Sequence, residues 1–253
     1  MKSFTIKQVT IGSGIPKICV PIVAHTKDQL LEQLSDFDRP ETDLLEWRID
    51  YMDCLSNTSE LVNIANTIQA RLPKKPLLIT FRSKKEGGEQ ELSSDDYFAL
   101  LRTLAKYKVA DLLDVELFAT EDTAFLKEFV RELQSYGCKV IFSNHDFSKT
   151  PEKEEILSRL TTMQDLGADI VKIAVMPNSA EDVLTLLSAT REMSEEIAKV
   201  PVVTMSMGKL GAISRICGET FGSAITFGSL KKASAPGQIE ISELSNLLHT
   251  LQY

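Results

Sequence analysis

Lys172 lies inside the apolar run DIVKIAV, where strand alternation puts it on one face with Ile170 and Ala174 and leaves Val171, Ile173 and Val175 on the other. A strand lysine is ordinarily solvated, or its stem snorkels to water. With both faces of the strand covered, burial of the ammonium is unfavourable, its pKa falls, and a neutral amine becomes available to attack a carbonyl. His145 closes the short run SNHD one strand earlier. A lone histidine is ordinarily a hydrogen-bonded structural residue. Beside Lys172, it is a candidate general acid and base whose tautomer Asp114 and Glu116, on the strand before, could orient.

Arg48 and Arg82 fall where strands end and Arg215 in the loop after the seventh run, so all three would reach the same mouth. Two arrangements are open for them. They could form ion pairs with Glu46, Asp50 and Glu86, or a fork that grips a substrate carboxylate in the bidentate manner of guanidinium groups. Met205 and Met207 end another strand, and Ser234 and Gln238 lie in the small, polar segment KKASAPGQ. That segment is either a lid or an ordinary connection. The glycines of GGEQ (87–90) and Gly12-Ser13-Gly14 are too short and badly placed to be phosphate loops.

These residues need a scaffold that brings strand ends together. Short apolar runs recur at 18–24, 44–50, 77–82, 112–118, 139–144, 170–175, 202–207 and 223–229, eight in all. Between them lie helix-period stripes such as Leu61, Ile64, Ala65, Ile68 and Leu72, or Phe125, Phe129, Val130 and Leu133. Thr26-Lys27-Asp28-Gln29 reads as a capping box, and Thr150-Pro151 as an N-cap followed by proline at the first helical position. Gly137 and Gly167 read as helix stops. Eight strand–helix alternations predict a parallel sheet with right-handed crossovers, closed into a (β/α)₈ TIM barrel because no glycine-rich dinucleotide fingerprint follows the first strand. Phe4, Ile6, Val9 and Ile11 alternate ahead of the first barrel strand and predict a β-hairpin. Pro21 sits inside the first strand, which predicts a local bulge or a shorter strand.

The bulk properties agree with one barrel domain spanning 1–253. The 253 residues match the roughly 250 typical of that fold, and 43% hydrophobic residues can supply its core. A net charge of -8 without a dense basic run argues against nucleic-acid or anionic-membrane binding. The four cysteines are scattered, so neither a zinc site nor a disulfide framework is expected. The N-terminus lacks a signal-peptide core, no apolar run is long enough to span a bilayer, and the reading is cytoplasmic.

Taken together, LEWRID (45–50), TFRSKKEGGEQ (80–90), SNHDF (143–147), GADIVKIAVMP (167–177), TMSMGKLGAISR (204–215) and KKASAPGQ (231–238) resemble the type I 3-dehydroquinate dehydratases, nearly end to end and in order. The resemblance implies a barrel whose N-terminal hairpin closes the bottom, and usually a homodimer. The implied activity is the dehydration of 3-dehydroquinate to 3-dehydroshikimate, a step toward chorismate and the aromatic amino acids, without metal or organic cofactor. It further implies syn elimination through a Schiff base on Lys172, with His145 as proton shuttle assisted by Glu86. Arg215, Ser234 and Gln238 would hold the carboxylate and ring hydroxyls, with Glu46, Arg48, Arg82, Met205 and Met207 completing the pocket. Some relatives carry Ser in place of Pro21 and a polar residue in place of Gly208. The rival readings are a class I Schiff-base aldolase, which would usually take a phosphorylated sugar, and a non-catalytic sugar-acid binding protein. The NHD triplet and the arginine-rich mouth speak against the first, and the presence of both Lys172 and His145 against the second.

Overall fold

The structure, a computed structural model, describes residues 3–230 and 235–252. An antiparallel hairpin, β1 (Phe4–Ile6) and β2 (Val9–Ile11), precedes eight parallel strands. These are β3 (Lys17–Ile22), β4 (Leu44–Arg48), β5 (Leu77–Thr80), β6 (Leu112–Glu116), β7 (Lys139–Asp146), β8 (Ile170–Val175), β9 (Val202–Ser206) and β10 (Ile225–Ser229). The pairing runs β10-β3-β4-β5-β6-β7-β8-β9, and a two-residue β11 (Ile239–Glu240) pairs in parallel beside the end of β10. The ring closes at one end, where Val202 bridges Ser223 and the Ala224 amide donates to the Val202 carbonyl at 2.8 Å. All eight expected strands are present, and the fold is the expected (β/α)₈ barrel.

Helices cover the outside, among them α1 (Lys27–Gln33), α2 (Thr58–Arg71), α3 (Ser94–Lys106), α4 (Thr123–Ser135), α5 (Lys153–Asp165) and α6 (Ala180–Glu192). Their buried stripes pack on the outward strand residues, such as Trp47, Ile79, Val115, Phe142 and Ile173, in one continuous core. A separate cluster fills the lower barrel: Leu44, Leu78, Leu112, Ile141 and Ile170, with Ile11 fully buried beneath them and Phe4, Ile6 and Val9 packed alongside. The hairpin therefore closes the bottom, as expected.

Three aspartates staple that end. Asp43, Asp111 and Asp169 each stand just before a strand and accept an amide from the strand before it, at Ile18 (2.8 Å), Leu77 (2.8 Å) and Val140 (2.9 Å). Each satisfies a backbone donor that would otherwise be stranded where the sheet ladder begins.

Pro21 makes no bulge. It pairs in register with Glu46, and the strand ends at Ile22, two residues earlier than drawn from sequence. Lys17 donates its amide to Ala224, while Ile18 accepts from Asp43, so odd positions of β3 face β10 and even positions face β4. The β10 pairing stops at Cys19, so the amide that Pro21 lacks falls beyond the last rung. Two cap expectations are also corrected. Thr26 does cap α1, but Gln29 Oε1 accepts from the His25 amide rather than from that of Thr26, and the reciprocal box stands instead at Ser179–Asp182. At Thr150-Pro151, α5 starts later, after Glu152, and the Thr150 hydroxyl donates to the Met176 carbonyl. Gly137 and Gly167 follow their helices in the left-handed region, as a C-terminal stop requires.

Candidate active site

Each barrel strand presents alternate residues inward, and their character changes along the strand. The first inward position is apolar, at Leu44, Leu78, Leu112, Ile141 and Ile170. The second carries Glu46, Thr80, Asp114, Ser143 and Lys172, and the third Arg48, Arg82, Glu116, His145 and Ala174. A polar layer thus lies on an apolar floor, at the C-terminal end where barrel enzymes keep their chemistry. A cavity of about 480 Å³, counting its open mouth, is lined by Glu46, Arg48, Arg82, Glu86, His145, Lys172, Met205, Met207, Arg215 and Gln238.

Arg82 is the hub of the charged layer. Its Nη1 donates to Glu116 Oε1 (2.8 Å), Ser143 Oγ (3.0 Å) and Glu86 Oε2 (3.3 Å), and its Nη2 to Asp114 Oδ1 (2.8 Å). Burial opposes its charge, yet Asp114, Glu116 and Glu86 outweigh burial and hold its pKa well above the ordinary value. Arg48 is likewise committed, with Nε and Nη2 both 2.8 Å from the Asp50 carboxylate.

Lys172 is buried, and its Nζ faces Asp114 Oδ2 at 3.5 Å, Glu46 Oε1 at 3.8 Å and the Phe227 ring at 4.5 Å. Asp114 Oδ2 accepts no hydrogen bond, so the ammonium is its one close counter-charge among the described residues. Glu46 is held by the Thr80 hydroxyl at 2.9 Å.

His145 takes its orientation from Glu86. Nδ1 lies 2.9 Å from Glu86 Oε2, which also accepts the His145 amide at 3.0 Å. The Asn144 side chain donates to Glu86 Oε1 at 3.1 Å. Burial drives both partners toward uncharged forms: it pushes Glu86 up to about 8, and with Arg82, Lys172 and Arg48 it holds His145 well below the usual range. A protonated Glu86 would donate to Nδ1 and leave Nε2–H. An ionised Glu86 accepts from Nδ1–H and frees the Nε2 lone pair to act as a base.

Glu86 owes its place to the glycines after it. Gly87 adopts φ +85°, where a Cβ would run into the Phe147 ring, and a Cβ on Gly88 would overlap the Arg82 carbonyl. Gln90 then ties the loop to the Asp50 and Met52 carbonyls at 2.8 and 2.9 Å. GGEQ, set aside as a phosphate motif, shapes the turn that presents this carboxyl group.

Arg215 contrasts with the other arginines. It is 2% exposed, yet among the described residues only Nη2 has a partner, the Pro236 carbonyl at 2.9 Å, while Nε and Nη1 have none. Burial alone lowers its pKa to about 10. A buried guanidinium with two unused donors is poised for an anion. Pro236 also accepts the Gly208 amide at 3.2 Å, and Gly237 packs so closely on the Gly208 carbonyl that a Cβ would clash. Ala235 and Gln238 reach the cavity, whereas Ser234 and the first half of the expected lid, 231–234, lie outside the described residues.

The structure therefore gathers the predicted residues Lys172, His145, Glu86, Glu46, Arg48, Arg82, Arg215, Gln238, Met205 and Met207 at one cavity. One expectation is corrected: Asp114 and Glu116 do not orient His145 but anchor Arg82, with Asp114 also facing Lys172. The two arginine arrangements divide by residue, since Arg48 and Arg82 are ion-paired and Arg215 has no ion pair among the described residues. Thr80, Ser143, Asn144 and Phe227 escaped the sequence reading. Ser143 and Phe227 lie at inward strand positions, which was the available signal.

The sequence model of the family described as Type I 3-dehydroquinase matches residues 18–253. A 3-dehydroquinate dehydratase of Enterococcus faecalis (strain ATCC 700802 / V583) is 50% identical over 252 residues, covering 100% of this chain and 99% of its own. The crystal structure of a type I 3-dehydroquinate dehydratase from Clostridium difficile, with covalently modified comenic acid, superposes with a TM-score of 0.94 at 46% identity, covering 99% and 98% of the two chains. A 3-dehydroquinate dehydratase structure from Geobacillus kaustophilus HTA426 gives 0.94 at 36% identity, covering 99% and 96%.

Proposed function

The chain belongs to the type I 3-dehydroquinase family and is a 3-dehydroquinate dehydratase; we propose that it eliminates water through an imine on Lys172, with His145 moving the protons. The observation that carries this reading is the buried Lys172 amine in the same cavity as a histidine oriented by Glu86.

In the proposed sequence, Arg215 takes the substrate carboxylate on Nε and Nη1, and Gln238 and Ser234 bind ring hydroxyls. The Lys172 amine adds to the ketone, and loss of water gives a protonated imine. A proton alpha to a ketone is weakly acidic, but the iminium supplies an electron sink next to that carbon. His145 Nε2 takes the proton, and the electron pair moves into an enamine. The enamine expels the hydroxyl beta to the former carbonyl, with the proton returned by His145 so that it leaves as water. A second water then hydrolyses the conjugated imine, releasing the enone and restoring the amine. One residue serving both proton steps suits syn elimination. General acid–base catalysis contributes about 10²–10⁴-fold, so the imine must supply much of the remainder.

The apolar floor and the Met205 and Met207 side chains would hold the ring carbons while the charged layer meets the polar substituents. Arg48 and Arg82, already committed to carboxylates, act mainly by fixing Asp50, Glu86, Asp114 and Glu116. The covalent comenic acid in the Clostridium difficile relative supports a family cavity suited to covalent capture. Place in the shikimate pathway follows from the activity. A single domain and a cytoplasmic location rest on the sequence reading and a homodimer on the family resemblance, and no described helix is long and apolar enough to cross a membrane. The test is turnover of 3-dehydroquinate, followed by the enone absorbance of the product. Lys172→Met and His145→Gln should each abolish it, and full turnover in either would remove that residue from the mechanism.

A further inference from the structure

Outside the cavity, on the helix-facing side of β7, a chain of hydrogen bonds runs from a surface helix to the catalytic histidine. Arg159 on α5 donates from Nη1 to Asn144 Oδ1 at 2.8 Å. Asn144 Nδ2 donates to Glu86 Oε1 at 3.1 Å, and Glu86 Oε2 meets His145 Nδ1 at 2.9 Å. Arg159 is itself fixed, with Nε 2.8 Å from Glu155 Oε1 and its guanidinium 5.5 Å from the Phe118 ring centroid.

The donor inventory gives this chain a direction. Arginine has donors only, so the Asn144 oxygen must face Arg159 and its NH₂ must face Glu86. Glu86 then receives fixed donors on both oxygens, from Asn144 on Oε1 and from the His145 amide and Arg82 on Oε2. A carboxylate so surrounded is disposed to accept from Nδ1–H as well, which leaves the Nε2 lone pair free.

We propose that Arg159 is a positioning residue for the proton transfer: by locking the Asn144 amide, it orients Glu86 and so selects the His145 tautomer that can act as a base. The proposal rests on the reading of His145 as the proton carrier. Without Arg159, the Asn144 amide is free to turn its oxygen toward Glu86, where it opposes the carboxylate. The charged groups bearing on Glu86 and His145 are otherwise Arg82, Glu116, Asp114, Lys172 and Arg48, while Glu155 and Asp146 bear on Arg159. None of these is altered by the substitution. Burial already drives Glu86 toward its neutral form and Asn144 opposes that, so loss of the lock moves the ionisation of Glu86 to higher pH.

The experiment compares the full-length wild type with Arg159→Met, Arg159→Gln and Arg159→Lys. Two readouts are taken across pH: the ¹⁵N spectrum of His145, which separates Nδ1–H from Nε2–H, and kcat/KM for 3-dehydroquinate. His25 and His249, both exposed, serve as internal references. In Arg159→Met and Arg159→Gln, the tautomer midpoint and the acid limb of kcat/KM should both rise by roughly one pH unit, with KM on the plateau unchanged. Arg159→Lys keeps a donor and should move them less. Midpoints that coincide with the wild type in a folded variant overturn the relay. A tautomer midpoint that moves while the pH profile stays fixed supports the relay and refutes His145 as the proton carrier.

Discussion

Replacing Arg215 by methionine should make the protein more stable and a much poorer enzyme. In the free protein, this guanidinium is buried with two donors unused among the described residues, and burial lowers its pKa from 12.5 to about 10. At about 1.4 kcal/mol per pH unit, keeping that charge inside at neutral pH costs about 3 kcal/mol. The sign follows from linkage. A base whose folded pKa is depressed contributes stability that is lost as pH falls through the folded value, so at pH 7 the full cost is present. Removing the charge recovers it, less about 1 kcal/mol for the lost bond to the Pro236 carbonyl. For a chain of this size, a net gain of about 2 kcal/mol raises Tm by about 4–8 °C. Truncating one partner of a buried charge pair with the substrate carboxylate costs about 2–5 kcal/mol, or roughly thirtyfold to several thousandfold in kcat/KM. Thermal melts of the free proteins and steady-state turnover check both halves. An Arg215→Met protein that melts lower than wild type and keeps its kcat/KM would show that Arg215 is a structural residue.

Arg82→Met should act in the opposite sense, because it leaves Asp114, Glu116 and Glu86 buried without their common partner. A loss of about 3–5 kcal/mol, or about 6–20 °C in Tm, is expected by calorimetry. The low pKa of His145 means that the unfolded chain binds a proton the folded one refuses below about 6.5. That contribution to stability is lost as pH falls, and urea melts of His145→Gln should lack it. Glu86 has the reverse sign: its contribution is present below the ordinary value of 4.5 and lost as pH rises through about 8, so Glu86→Gln should flatten that decline. Gly87→Ala should cost about 1–3 kcal/mol and lower kcat, because φ +85° and the Phe147 ring both oppose a Cβ.

The barrel was legible because strands covered on both faces read as apolar runs, and because helical stripes separate them with regular spacing. Lys172 stood out for the same reason, as a charge at an inward position of such a run. What the sequence withheld was partner choice. Alternation along β6 puts Asp114 and Glu116 beside His145, but in the barrel both meet Arg82, Asp114 also faces Lys172, and Glu86 reaches the histidine from a loop. Arg48, Arg82 and Arg215 look alike in sequence, and only three-dimensional neighbours separate the paired from the unpaired. Pro21 looked disruptive because a sequence does not reveal how far β10 accompanies β3. Asn144 faces away from the cavity, so alternation alone would discard it, although its amide holds Glu86.

The imine on Lys172 is tested most directly by borohydride reduction of the full-length enzyme in the presence of 3-dehydroquinate, followed by peptide mass mapping. The mechanism predicts a stable adduct on the peptide carrying Lys172, dependent on substrate and absent from Lys172→Met. Steady turnover of 3-dehydroquinate with no trapped adduct, or an adduct on another lysine, would contradict it.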